Sequence, residues 1–146
     1  MKIVINDKFG GFSLSHQGVM RYAEIKGIKL YPYIDDISKK VYPDKATLDN
    51  PSILIHYVTV PTNEYEKVHA KDKGNRNYSK SNELHFSAGD IERNDPFLIQ
   101  VVEELKDKAN GQCAQLKIIE IPDDIEWEIE EYDGLEHIAE KHRTWQ

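Results

Sequence analysis

Two adjacent glycines, Gly10 and Gly11, stand between an apolar run, Ile3-Val4-Ile5, and a segment from His16 to Lys26 whose pattern predicts a helix. A glycine turn set before a helix leaves backbone N–H groups without partners, and the positive end of the helix dipole favours an anion there. The chemistry this arrangement could do is phosphate binding. Phe12, Ser13 and Ser15 lie on the turn, and Arg21 follows within the helix, where it would add a fixed positive charge. The stretch Gly10-Gly11-Phe12-Ser13-Leu14-Ser15 lacks the Lys followed by Ser or Thr of a phosphate-binding loop and the spaced glycines of a dinucleotide fingerprint. The competing reading is that the glycines only make a sharp turn.

Other residues with chemical potential fare less well. His137 and His142 are five positions apart, so on a helix they point about 140° from one another, and Lys141 breaks the inverted zincin pattern. No metal site and no cofactor is expected. There is no Gly-x-Ser-x-Gly elbow, and the single cysteine, Cys113, reads as a small buried strand residue. No catalytic residue is nominated, and a metal-dependent hydrolase is only the third-ranked reading. Residues 120 to 136 hold nine acids and no Lys or Arg, whereas the first 119 residues hold 17 bases and 16 acids. The acids alternate with Ile125, Trp127 and Ile129, the pattern of a half-buried strand with one wet face. That face could also engage a protein through closely spaced carboxylates, as a mimic of nucleic acid does.

The elements that must position these residues follow from local signals. Ile3 to Ile5 reads as a strand, and Ser13 or Ser15 caps a helix from His16 to Lys26 that Gly27 ends. Ile28 to Tyr33 reads as a strand, residues 35 to 50 as an exposed loop, and Ser52 to Val60 as the most secure strand. A capping box at Asn63 and Glu66 predicts a short helix to about Lys71, and the basic stretch 71 to 82 reads as a second exposed loop. Leu84 to Ser87 is a further strand. Asp95-Pro96 starts a helix carrying Phe97, Leu98, Val101, Val102 and Leu105, closed by Asn110-Gly111. Strands at Leu116 to Ile121 and around Trp127, then a helix from Leu135 to about Arg143, complete the chain. The expectation is one α+β domain over residues 1–146, a mixed sheet with three or four helices packed on it.

At 146 residues and a net charge of −7 the chain suits one domain with a real core. The concentration of acid argues against general nucleic-acid binding and leaves room for a local anion site. The short apolar runs predict no membrane span and no signal peptide, and one cysteine suits a reducing compartment.

Met1 to Asn6 with the Gly10 to Ser15 turn, Ile91-Glu92-Arg93-Asn94-Asp95-Pro96, and Leu116 to Asp124 through Glu130 to Gly134 and Glu140 to Trp145 resemble small proteins of tailed bacteriophages and prophages. The resemblance covers both ends, about two thirds of the chain, and skips residues 35 to 80. It brings no settled activity. It implies a bacterial host cytosol and a protein that acts by binding, one class of which sequesters the nucleotide signals of bacterial defence. On that reading a small phosphorylated nucleotide would sit at Gly10, Gly11, Phe12, Ser13 and Ser15, with Arg21 or Arg93 as charge partner and Phe86 as a base platform, in a monomer or a homo-oligomer. The alternative partner is a host protein held by the acidic 120 to 136 segment.

Overall fold

The computed structural model describes residues 1–36, 39–41, 43–50, 52–76 and 78–141. In chain order the elements are β1 (Lys2–Asn6), α1 (His16–Lys26), β2 (Tyr31–Asp36), β3 (Lys39–Val41), α2 (Lys45–Leu48), β4 (His56–Val58), α3 (Thr62–Gly74), α4 (Ser79–Glu83), β5 (His85–Phe86), α5 (Pro96–Leu105), β6 (Leu116–Glu120), β7 (Trp127–Tyr132) and β8 (Leu135–Glu140). The fold is α+β. In place of one mixed sheet the described residues form three small sheets, β1-β6, β3-β2-β4-β5 and β7-β8, and every pairing is antiparallel. Among the described residues no helix is long and apolar enough to cross a membrane.

The chain divides into two compact units, Met1–Tyr22 with Ile91–Gln146, and Ala23–Asp90, the boundary falling inside α1. In the first unit β1 runs against β6 with Val4 opposite Ile118, and α5 packs on both strands. Asp95 caps α5 by accepting the N–H groups of Phe97 and Leu98, and Pro96 supplies a first-turn residue whose missing N–H costs nothing there. Leu98, Val101 and Val102 then fall on one face and are buried, as are Ile3, Val4 and Ile5 of β1. Each such side chain contributes about 1.5–3 kcal/mol of burial. The helix stops at Leu105, earlier than Asn110-Gly111, because Lys106 turns into a positive φ of 53° and a short 3-10 turn follows over Lys106–Ala109.

In the second unit a small core of Tyr33, Val58 and Tyr65 takes Tyr31, Val60 and Leu84 around it. The strand expected over Ser52 to Val60 is confined to His56–Val58, and Ile53 and Leu54 are exposed. The expected loop 35 to 50 contains the end of β2, all of β3 and the four-residue α2. Helix α3 starts after Pro61, which makes no side-chain cap, and it runs through Gly74 into what the sequence suggested was loop. The Asp72 carboxylate explains the tight turn onward: buried, it accepts the Ser81 N–H at 2.7 Å and ties α4 to the end of α3.

The largest correction is at the C-terminus, where the predicted helix from Leu135 is strand β8. Asp133 and Gly134 take φ values of 50° and 86°, the left-handed pair that a two-residue hairpin requires, and β7 and β8 pair in full from Trp127–Glu140 to Tyr132–Leu135. The predicted spacing of His137 and His142 on one helix lapses with that helix; His142 and Arg143 lie outside the described residues. Cys113 is likewise not a buried strand residue, but sits exposed in the turn before β6.

Candidate functional site

The predicted turn residues are built into the first unit by the β7-β8 hairpin. Gly10 donates its N–H to the Asp133 carbonyl at 3.0 Å. Gly134 comes so close that a Cβ there would overlap the Gly11 nitrogen, and a Cβ on Gly10 would press on Cys113. Close approach of neighbouring chain therefore explains Gly10 and Gly134, whereas Gly11 has open space for a Cβ and is explained by its φ of 99°. Ser15 caps α1, accepting the Gly18 N–H at 3.0 Å while its hydroxyl donates to the Lys108 carbonyl. Ser13 offers its carbonyl to the Gly111 N–H at 3.0 Å. The Gly10 N–H, the Ser15 N–H and the Ser15 hydroxyl, three of the donors expected to greet an anion, are thus spent within the protein.

Phe12 and Arg93 do meet. The Arg93 guanidinium lies 3.6 Å from the Phe12 ring centroid, a close cation–π contact. Its other contacts were not foreseen: it donates to both oxygens of Glu136, at 2.6 and 2.9 Å, and reaches the Val4 carbonyl at 3.4 Å. Glu136 also accepts the Asn6 backbone N–H at 2.7 Å. Fully buried Asn6 donates through its side-chain amide to the Lys8 and Gly134 carbonyls and accepts the Gln115 N–H. With side-chain exposures of 17% for Arg93 and 5% for Glu136, the two charges cancel out of water. The sequence counts Glu136 among nine acids on a wet face; in β8 it shares the inward face with Ile138, and that strand alternation is the signal that marks it out.

Arg21 is engaged elsewhere. Its guanidinium donates to Glu104 at 2.8 and 3.3 Å, and Gln100 donates to the same carboxylate at 2.9 Å. Hydrogen bonds from Arg21, then from Gln100, hold the Glu104 carboxyl at about 2, below the ordinary 4.5. Phe86 belongs to the second unit, on β5, with its backbone opposite Tyr57.

The hairpin itself carries the other candidate surface. Glu128, Glu130 and Tyr132 share the outer face of β7, and Glu126, Glu131 and Asp133 are exposed beside them. His137 contacts Glu130 at 2.9 Å across the strands. At the tip, Tyr132 is 78% exposed and stands edge-to-face against Phe9, itself 55% exposed, with 6.5 Å between ring centroids.

In the second unit, residues that the sequence did not single out form a column of rings. His56 stacks on Tyr33 at 5.0 Å, Tyr33 on Tyr65 at 5.5 Å, Tyr65 on His69 at 5.7 Å, and His69 leans on Tyr78 at 5.7 Å. Tyr33 also shares a 2.9 Å hydrogen bond with His85, and burial, then the Tyr65 hydroxyl, raise its phenol well above the ordinary value. Among the described residues no group of three or more His, Cys, Asp or Glu is placed to hold a metal ion. No protein-family model matches the chain, and neither does any curated protein or solved structure.

Proposed function

We infer that this chain acts by binding, without catalysis, and that the outer face of the β7-β8 hairpin holds a basic surface of a partner protein. The observation that carries the reading is the exposed Phe9–Tyr132 pair at the tip of a strand presenting Glu128 and Glu130. Exposed aromatic anchors beside charge are what a recognition surface needs, since aromatics supply most of the contact energy and the acids steer and select the partner. For a phage-encoded chain that partner is a host protein whose own ligand is nucleic acid. The test is capture of a DNA-binding protein from bacterial extract followed by reconstitution with the purified partner and DNA. The expected result is competition with DNA, lost in the E126Q/E128Q/E130Q variant and in Tyr132→Ala. Undiminished competition by both variants refutes it.

The second reading, capture of a small phosphorylated nucleotide at the glycine turn, is favoured by one observation, the meeting of Phe12 and Arg93 beside it. Glu136 already holds that guanidinium. A phosphate would have to displace it and leave a carboxylate buried without its partner, at about 3–5 kcal/mol. Calorimetry against nucleotide signals decides this reading, and heat from none of them ends it.

A further inference from the structure

The basic stretch at the α3-α4 corner takes no part in either reading. From Lys67 to Lys80 the chain carries five cations, Lys67, Lys71, Lys73, Arg76 and Lys80, and a single acid, Asp72. All five cations are exposed, and among the described residues none has an ion pair. Asp72 is buried on the Ser81 N–H, so it does not cancel them from the surface. Lys67 and Lys71 are one helical turn apart on the same face of α3. Tyr78, 43% exposed, lies between Arg76 and Lys80 in the chain.

Tyr78 is not a loose ring. It rests on His69, which rests on Tyr65 and then Tyr33, so the column whose inner members are buried holds the outermost ring in place. The Nδ1 atom of His69, behind it, is out of solvent and has no hydrogen-bond partner. Unpaired cations on the two helices that flank a braced, accessible aromatic face supply the two requirements for holding an unpaired nucleotide, phosphate attraction and base stacking. A duplex offers no free base face to such a ring.

We propose that the α3-α4 corner binds a short stretch of single-stranded nucleic acid, a base stacked on Tyr78 and phosphates along Lys67, Lys71, Lys73, Arg76 and Lys80. The chain's net charge of −7 does not forbid this, because screening over about 8 Å at physiological salt leaves a strand at this corner governed by the charges next to it. The expectation of no general nucleic-acid binding came from the concentration of acid in residues 120 to 136, which leaves room for a local anion site elsewhere, and these cations lie outside that segment.

The experiment is fluorescence anisotropy of a short labelled oligothymidylate with the full chain, from low to physiological salt. Binding should weaken with salt, and the slope of log affinity against log salt should fall by about one for each cation removed in Lys71→Gln and Lys80→Gln. Tyr78→Ala should weaken binding by about five-fold or more, and Tyr78→Phe, which keeps the stacking face, should bind as the parent does. The exposed lysine variants keep the test readable even where Tyr78→Ala perturbs α4. The E126Q/E128Q/E130Q variant should bind the oligonucleotide undiminished, which separates this site from the hairpin. Absence of binding at low salt overturns the proposal. So does unchanged binding by Tyr78→Ala with inorganic polyphosphate competing on equal terms, which would mean charge alone. Loss of self-association, rather than of oligonucleotide, in the lysine variants would assign the cations to the acids of a second copy.

Discussion

The Arg93 site of the first unit and the α3-α4 corner of the second treat an aromatic ring and a positive charge in opposite ways. In the first, Arg93 is laid on Phe12 inside the protein and neutralised by Glu136, so its charge serves to join β1, the Arg93 segment and β8. At the α3-α4 corner of the second, rings stack on rings, and Lys67, Lys71, Lys73, Arg76 and Lys80 stay outside with no ion pair among the described residues. A charge that is bidentate, buried and satisfied is a fastening; a charge left in water beside an exposed ring is available. The comparison shows why an arginine near a glycine turn is a poor guide to a ligand until its partner is known.

The largest expected effect tests the fastening. Glu136→Ala leaves the Arg93 guanidinium buried without its partner and should cost about 3–5 kcal/mol in urea unfolding. The double change Arg93→Met with Glu136→Leu should recover most of that loss, because two apolar side chains leave no orphaned charge. A cost below about 1 kcal/mol for Glu136→Ala, the range of a surface pair, would break the comparison.

In the second unit Tyr65→Ala removes the centre of the ring column and should cost about 3–5 kcal/mol, against about 0.5 kcal/mol or less for the exposed Tyr78→Ala. Equal costs would show that the column is braced from its outer end. Gly134→Ala forces a side chain into a φ of 86° and against the Gly11 backbone, which should destabilise by about 1–3 kcal/mol in thermal melting. The smallest effect concerns the exposed Arg21–Glu104 pair. Because folding depresses the Glu104 carboxyl to about 2 from 4.5, whatever the pair contributes is present above 4.5 and is lost as pH falls toward 2. An NMR titration should place Glu104 low in the parent chain and near the ordinary value in Arg21→Gln.

Much of this fold was legible because its signals are local. The α1 segment ends at Gly27, whose φ of 79° a side chain would resist, and α5 begins at Asp95-Pro96, both as the sequence predicts. β1, β6 and β7 follow from apolar runs or alternation in single short segments. The final strand departs from the expected helix because Leu135, Ile138 and a charged remainder fit a helical spacing as well as an alternating one, and the Asp133-Gly134 turn is the deciding residue pair. Of the candidate site, Phe12 and Arg93 were named and do meet, whereas Glu136 and Asn6 were missed because their roles depend on contacts more than 40 residues away along the chain. The ring column was invisible for the same reason, since its members are drawn from β2, β4, α3 and the start of α4.

The bond from the Asn6 side chain to the Gly134 carbonyl has a consequence for synthesis. The second residue of that pair leaves the ribosome 128 positions after the first, so the first unit cannot close until nearly the whole chain has emerged. The second unit is one continuous stretch, Ala23–Asp90, and needs nothing that is made later to complete its own pairings. On a ribosome adding about 5–20 residues per second, the N-terminal strand must wait for several seconds with its buried face open to water, while the middle of the chain folds ahead of it.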